Sequence, residues 1–182
     1  MEFSGGYSYS KQTYGEDKHN SVKSTTYSTS IAVYLLQYTG LELNYTYTRD
    51  LINENDRYLL SNGISIVSVE NELNTKIYGA GIRQVLAPLT FFIIPAISIG
   101  YARQIQTGGT TYTFEDSYGD RATTYSTRPV AQSDNVFATF VIKIRATRYF
   151  TLNGSVKTVF KPFRFSEIED YLKYEAGFSL LF

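Results

Sequence analysis

The feature that most limits what this chain can become is a period of two. From Tyr174 to the last residue, Tyr174, Ala176, Phe178, Leu180 and Phe182 alternate with Glu175, Gly177, Ser179 and Leu181. Successive side chains of an extended strand point to opposite faces, so the first set makes an apolar face and the second a mostly polar or small one. A strand of this kind is stable only in a sheet whose other members repeat the pattern and bury one of the two faces.

Seven further segments repeat it. Phe3, Gly5, Tyr7 and Tyr9 alternate with small and polar residues from about Glu2 to Lys11, followed by a polar stretch, Gln12 to Ser21. Tyr27, Thr29, Ile31, Val33 and Leu35 form a second apolar face, and Gln37 to Gly40 is long enough only for a tight turn. Leu41, Leu43, Tyr45 and Tyr47 alternate with Glu42, Asn44, Thr46 and Thr48 before a long connection, Asp50 to about Glu72. The fourth strand sets Tyr78, Ala80 and Ile82 against Gly79, Gly81 and Arg83, with the pattern broken at Gln84 and a short turn at Ala87 to Leu89. Phe91, Ile93, Pro95, Ile97, Ile99 and Tyr101 form the fifth face; Pro95 cannot donate to a ladder, which predicts a bulge or local gap there. The longest connection, Gln106 to about Asn135, leads to a sixth strand with Val136, Ala138, Phe140, Ile142, Ile144 and Ala146 on one side. A turn near Arg148 precedes Phe150 to Phe160, and Pro162 to about Leu172 forms the last loop before the terminal strand.

Composition narrows the function classes. The 182 residues suit one domain, 1–182, and 17 basic against 17 acidic residues leave no electrostatic footprint for nucleic acid. Without cysteine there are no disulfides, thiolate nucleophiles or cysteine metal sites. The longest apolar stretch, Leu89 to Ile99, is interrupted by Thr90, Pro95 and Ser98, and falls far short of the roughly 20 residues a spanning helix needs. No basic, apolar leader precedes the first strand pattern, so export would mean that a signal peptide has already been removed.

Alternation alone does not say which face points inward, since a soluble ligand-binding barrel shows the same period. Three observations place the apolar face outside. Connections alternate strictly between long and short, as when one barrel end faces the periplasm and the other the exterior. If odd strands rise from the short-turn end, one end of the apolar faces carries Tyr9, Tyr27, Tyr47, Tyr78, Tyr101, Phe160 and Tyr174, and the other carries Phe3, Phe91, Phe150 and Phe182. Two aromatic belts with aliphatic residues between them suit the two interfaces of a bilayer. Phe91 to Tyr101 and Phe150 to Phe160 each run roughly 33 Å at about 3.3 Å per residue, which a tilt of about 40° reduces to roughly 25 Å, the height of an outer-membrane apolar band. The opposite face, rich in Ser, Thr, Gly and Asn, suits a crowded lumen.

On these residues and this architecture the chain resembles the small eight-stranded outer-membrane β-barrels of Gram-negative bacteria, the class that includes the OmpA transmembrane domain and OmpX. The resemblance implies an all-β, eight-stranded antiparallel up-and-down transmembrane β-barrel with both termini periplasmic. It further implies that Tyr174, Phe178, Leu180 and Phe182 act as an assembly signal read by the barrel-assembly machinery, and that lipid and lipopolysaccharide surround the barrel. No cofactor is implied.

Several residues could carry chemistry. Glu2, Glu42, Arg83, Lys143, Arg145, Lys157 and Glu175 project inward. Lys157 and Glu175, each seven residues from the lower end of its strand, are expected to pair, and Glu42, Arg83, Lys143 and Arg145 to form a second cluster. Such charges either satisfy one another and fill the lumen or line a narrow ion path. His19 is the one histidine and lies in the first long loop beside Asp17 and Lys18. It is the candidate for a lipid-modifying enzyme of the kind some outer-membrane barrels resembling this one are, against a solvated loop side chain. Glu115, Asp116 and Asp120 fit no ordered calcium-loop spacing and read as surface charge, with no metal expected. The long connections hold Tyr14, Tyr58, Leu59, Leu60, Ile64, Tyr112, Phe114, Tyr118 and Tyr125. They read either as strands rising beyond the bilayer or as a contact surface for an extracellular protein, lipopolysaccharide or another cell. Function is therefore expected in adhesion, envelope integrity or partner binding, with a small channel or apolar-solute conduit as the alternative and a lipid-modifying enzyme as the second.

Overall fold

A computed structural model describes residues 1–15, 19–60, 63–160 and 172–182. The strands are β1 (Glu2–Tyr14), β2 (Asn20–Tyr34), β3 (Thr39–Glu54), β4 (Tyr58–Leu59), β5 (Ser65–Val85), β6 (Ile93–Glu115), β7 (Arg121–Arg145), β8 (Phe150–Phe160) and β9 (Lys173–Leu181). They form one antiparallel sheet in the order β3-β2-β1-β9-β8-β7-β6-β5-β4, which an additional β3–β5 pairing closes into a ring. Every backbone donor and acceptor of the ring strands thus has a neighbour on both sides through the shared height of the barrel, which removes the free edges that an open sheet would present. Eight strands make the wall. The ninth, β4, is a two-residue ribbon against Ile66 and Ser65 of β5, inside the second long connection.

Closure runs through the chain ends. β1 pairs with β9 from Glu2↔Leu181 to Tyr7↔Ala176, and the terminal amino group donates to the carbonyl of Phe182 at 2.9 Å. Both ends lie with the short turns 35–38, 86–92 and 146–149. At the other end the strands run on far past the aromatic residues. The stretches 106–115 and 121–135, placed in the longest connection, are strand, as the reading of strands rising beyond the bilayer has it: β6 has 23 residues and β7 has 25, against 11 in β8. Above Val136, the last partner of β8, β7 continues to Arg121, roughly 50 Å along the strand at about 3.3 Å per residue. The first two long connections shrink likewise, because β1 reaches Tyr14, β2 starts at Asn20, β3 reaches Glu54 and β5 starts at Ser65. Asp17, Lys18 and the expected last loop from Pro162 to Tyr171 lie outside the described residues.

The faces divide as the alternation requires. Leu43, Ile97 and Phe178 are on the outer surface, 64%, 43% and 40% exposed, while Glu42, Ser98 and Ser179 beside them in sequence are buried in the lumen. Pro95 produces no bulge. It lies one residue beyond Val85↔Ala96, where the β5 ladder stops, and its carbonyl still accepts from the Leu86 N–H at 2.8 Å. The missing donor falls at the end of the ladder, where a proline is tolerated. The register shift in β6 falls instead between Gln106 and Gly108, opposite Pro129 and Val130 of β7.

The lumen and outer rim as candidate functional site

Inside the wall the side chains stack in layers. At the short-turn end Val85, Ile94 and Ala96 are buried in an apolar cluster against Tyr34, Tyr38 and Leu89. Above it sits an ionic knot. Arg83 Nη1 donates to Glu2 Oε1 at 2.7 Å and Arg83 Nε to Glu42 Oε2 at 2.8 Å. Lys143 Nζ reaches both oxygens of Glu2, at 2.7 and 2.6 Å. Tyr34 Oη donates to Glu2 Oε2 at 2.6 Å, and Ser98 Oγ donates to Glu42 Oε2. Glu2, Glu42, Arg83 and Lys143 are all nearly inaccessible. Two acids and two bases, each buried charge bonded to an opposite one, give a locally neutral plug; that is the condition under which charges are tolerated in a low-dielectric interior.

The expected pairs are partly rearranged. Glu42, Arg83 and Lys143 do meet, but around Glu2. Although Glu2 lies on β1, whose ladder neighbours are β2 and β9, the barrel is narrow enough for its carboxylate to reach side chains from β5 and β7 across the lumen. Arg145 does not join them: it turns to the short connections, donating from Nη1 to Leu89 O at 3.0 Å and from Nε to Thr147 O at 3.2 Å. Lys157 and Glu175 do not pair. The β8–β9 register sets Glu175 opposite Ser155 and Lys157 opposite Lys173, because β9 begins two residues lower than a count from the strand ends assumes. Lys157 Nζ instead donates to Thr46 Oγ1 at 2.7 Å and Asn44 Oδ1 at 3.3 Å, and Ser28 Oγ donates to Glu175 Oε2.

Higher still, Phe137, Ile77 and Ala102 are buried together with Val159 against them, and the Lys157 ammonium lies 5.7 Å from the Phe137 ring centroid. Between the knot and this floor remains a cavity of about 50 Å³. Above the floor the lumen widens to about 550 Å³. Tyr34, Phe137, Ile94 and Val85 were not singled out in the sequence, yet each is odd-man-out in parity with the outward series of its own strand. That parity was the available signal.

On the outer surface Tyr9, Tyr27, Tyr78, Tyr101 and Tyr174 are exposed at one height, and Phe91 and Phe182 at the other, with Phe3, Tyr47 and Phe150 half-buried. Phe160 departs from this set: it is 9% exposed and lines the upper cavity. The belts also include rings that the sequence reading left out, Tyr7 against Tyr27 at 5.4 Å, Tyr45 against Tyr78 at 5.2 Å, and Phe92 and Tyr149 beside the short turns. Of the assembly-signal residues, Phe178 stacks on Phe150 with centroids 6.2 Å apart and Leu180 is opposite Phe3 and Phe150.

At the outer rim the tips are held by polar side chains. Glu115 receives Arg57 at 3.0 Å and Arg121 at 2.9 Å, and Asp116 Oδ1 accepts from the backbone N–H groups of Tyr118 and Asp120. These carboxylates are engaged in shaping the hairpin, and among the described residues no group of acids, histidines or cysteines could hold a metal ion. His19 is exposed, and its carbonyl accepts from Asn55 Nδ2 at 2.8 Å. Tyr58, Leu59, Tyr118 and Tyr125 are exposed along the projecting strands and tips, Tyr118 at 93%. Tyr14 donates to Glu54 at 3.3 Å, tying β1 to β3; burial and then the Glu54 charge raise its pKa above the usual phenol value.

A closed antiparallel barrel with an aliphatic, ring-bordered exterior and an ionic interior is a transmembrane β-barrel, and its fold is that of the small outer-membrane barrels. Solved structures of the same fold include the N-terminal β-barrel domain of Pseudomonas aeruginosa OprF, which matches with a TM-score of 0.50 and 13% identity over 98% of this chain and 93% of that one. Ail, the attachment invasion locus protein of Yersinia pestis, solved with the heparin analogue sucrose octasulfate, matches with a TM-score of 0.48 and 13% identity over 98% and 95%. No protein-family model matches the chain, and no curated protein matches it in sequence.

Proposed function

We propose that this protein is a non-enzymatic resident of the bacterial outer membrane that works through the strands it raises above the bilayer, in adhesion or in holding the envelope to a partner, and not through its lumen. The observation that carries the reading is the contrast along one axis: an interior blocked by an apolar cluster and a neutral ionic knot, beneath hairpins whose β6 and β7 strands are more than twice the length of β8. A wall built for a channel needs an uninterrupted polar path, whereas tall, sheet-stiffened hairpins present a preformed surface at small entropic cost on binding. In this reading 1–182 is one barrel domain with both termini periplasmic, Tyr174, Phe178, Leu180 and Phe182 are read by the assembly machinery, and the tyrosine belt meets lipopolysaccharide.

The test separates the two uses of the barrel. Replacing Thr113–Thr123 by an Asn-Gly turn shortens the β6–β7 hairpin just above the Tyr112↔Thr124 pair and leaves the ring intact. The expected result is a folded barrel that no longer supports attachment of expressing cells to matrix or to neighbouring cells, and a wild-type protein that adds no steady conductance to a planar bilayer. Steady wild-type conductance, reduced by Lys157→Ala or Glu42→Ala, would establish the channel reading instead.

A further inference from the structure

The upper cavity has a chemistry that the adhesion reading does not use. Lys157 and Lys173 are directly opposite each other in the β8–β9 ladder, so both side chains point into the lumen from adjacent strands, and both line this cavity. Like charges directly opposite one another destabilise a sheet. Lys157 is 7% exposed, where a charge with no carboxylate in direct contact is costlier still. The two ammonium groups donate to hydroxyls and an amide, Lys157 to Thr46 and Asn44 and Lys173 to Thr48 at 3.0 Å. Among the described residues neither has a carboxylate within 4 Å; the buried Glu175, two residues from Lys173 on the same face, and Asp50, the one acid lining the cavity, offset their charges only from longer range. The knot below shows how this barrel treats a buried cation elsewhere, since each of Arg83 and Lys143 has a carboxylate within 2.8 Å.

The remaining walls are apolar in part. Leu73, Ile77, Val159 and Phe160 line the same space, and Ile77 and Val159 belong to the cluster around the buried Phe137 ring. At about 550 Å³ the cavity falls in the range of small-molecule sites, roughly 300–1,000 Å³. We propose that this cavity is a blind binding site for a small amphipathic anion, a carboxylate with a short hydrocarbon tail, whose head is held between Lys173 and Lys157 and whose tail lies on Leu73, Ile77 and Val159. The ionic knot and apolar cluster lower in the lumen make it a receptor site, not a conduit.

The test uses the full chain in lipid nanodiscs with methyl-labelled Ile and Leu, titrated with octanoate and, separately, with octanol and inorganic phosphate. Saturable octanoate shifts at Ile77 and Leu73, with Leu43 and Ile97 on the outer face showing only the non-saturating drift of probe partitioning into lipid, are expected. Lys173→Gln should weaken that binding at least tenfold while Lys173→Arg retains it, with both variants folded by heat-modifiable migration on gels. Absence of a saturable response at Ile77 and Leu73 would overturn the proposal, as would an equal response to octanol or an unchanged affinity in Lys173→Gln. Phosphate binding as tightly as octanoate would overturn the amphipathic ligand by showing a simple anion site.

Discussion

Replacing Arg83 by methionine keeps the aliphatic stem and removes the guanidinium, and the knot makes the consequence calculable. Arg83 donates to Glu2, to Glu42, to Ser98 at 3.2 Å and to Ser30 at 3.3 Å. Glu2 survives its loss well, because Lys143 still grips both carboxylate oxygens and Tyr34 still donates. Glu42 does not: Arg83 is its ion-pair partner among the described residues, and it is left 3% exposed with the Ser98 hydroxyl. Removing one member of a buried ion pair costs about 3–5 kcal/mol, and since one carboxylate and not two is orphaned, the lower figure, about 3 kcal/mol, applies here. The assay is urea unfolding in lipid vesicles near neutral pH, followed by far-ultraviolet circular dichroism and by the folded band on unheated gels. Adding Glu42→Gln to Arg83→Met removes the orphaned charge, so the double variant should recover part of the loss. A single variant within about 1 kcal/mol of wild type, or a double variant less stable than Arg83→Met, would refute the claim that mutual neutralisation holds the knot together.

Two further outcomes follow from the seam and from the rim. A side chain at Gly177 would strike the Gly5 carbonyl, the Gly6 Cα at 2.8 Å and Asn153 Oδ1 at 2.9 Å, so Gly177→Val should lower the folded fraction by the roughly 1–3 kcal/mol of an overpacked site or more; an unchanged urea midpoint would contradict the packing of the β1–β9 seam. Above the tyrosine belt, Glu72 accepts from Asn74 at 3.0 Å and lies 2.9 Å from Arg49, and those two contacts hold its carboxyl below the usual 4.5. A carboxylate with a depressed folded pKa stabilises above its unfolded value and loses that contribution as pH falls through the folded one. Glu72→Gln should therefore be a few tenths of a kcal/mol less stable than wild type near neutrality, an exposed pair being worth about that much, and the gap should close between about pH 5 and 3.

The fold was legible because alternation with period two survives even where individual positions are poor strand formers. The parity of Leu41, Leu43, Tyr45 and Tyr47 fixed which of Glu42, Asn44, Thr46 and Thr48 turned inward, and the sequence needed no other information for that. Strand length was only partly legible: strands rising beyond the bilayer are one of two readings of the aromatic residues there, but Thr110 to Tyr125 carries no aliphatic alternation once the chain leaves hydrocarbon, so their extent is not marked. Only the β6–β7 pairing, Tyr112 opposite Thr124 and Gly109 opposite Thr127, shows it to be strand. The site was half legible. Inward charges could be named, but partners across a lumen depend on shear, which a count from strand ends does not contain. A count from strand ends therefore pairs Lys157 with Glu175 where the register sets it opposite Lys173, and it does not bring Glu2 into the knot that it centres.

The layers of the lumen also bear on how the two proposed activities coexist. Val85 with Ile94, the Glu2 knot and the Phe137 cluster are three successive layers; the first two are fed from more than one side of the ring, and the third from β5 to β8, with Lys157 reaching across to Thr46 and Asn44 of β3. Breaching any one of them leaves the other two, so single substitutions in the lumen should alter stability before they create a conducting path. The hairpins and the upper cavity lie beyond the last closure. The hairpin tips can then change in sequence without disturbing the layers that keep the barrel sealed, whereas the upper cavity shares Ile77 and Val159 with the Phe137 layer, so a ligand there should stiffen that layer as well.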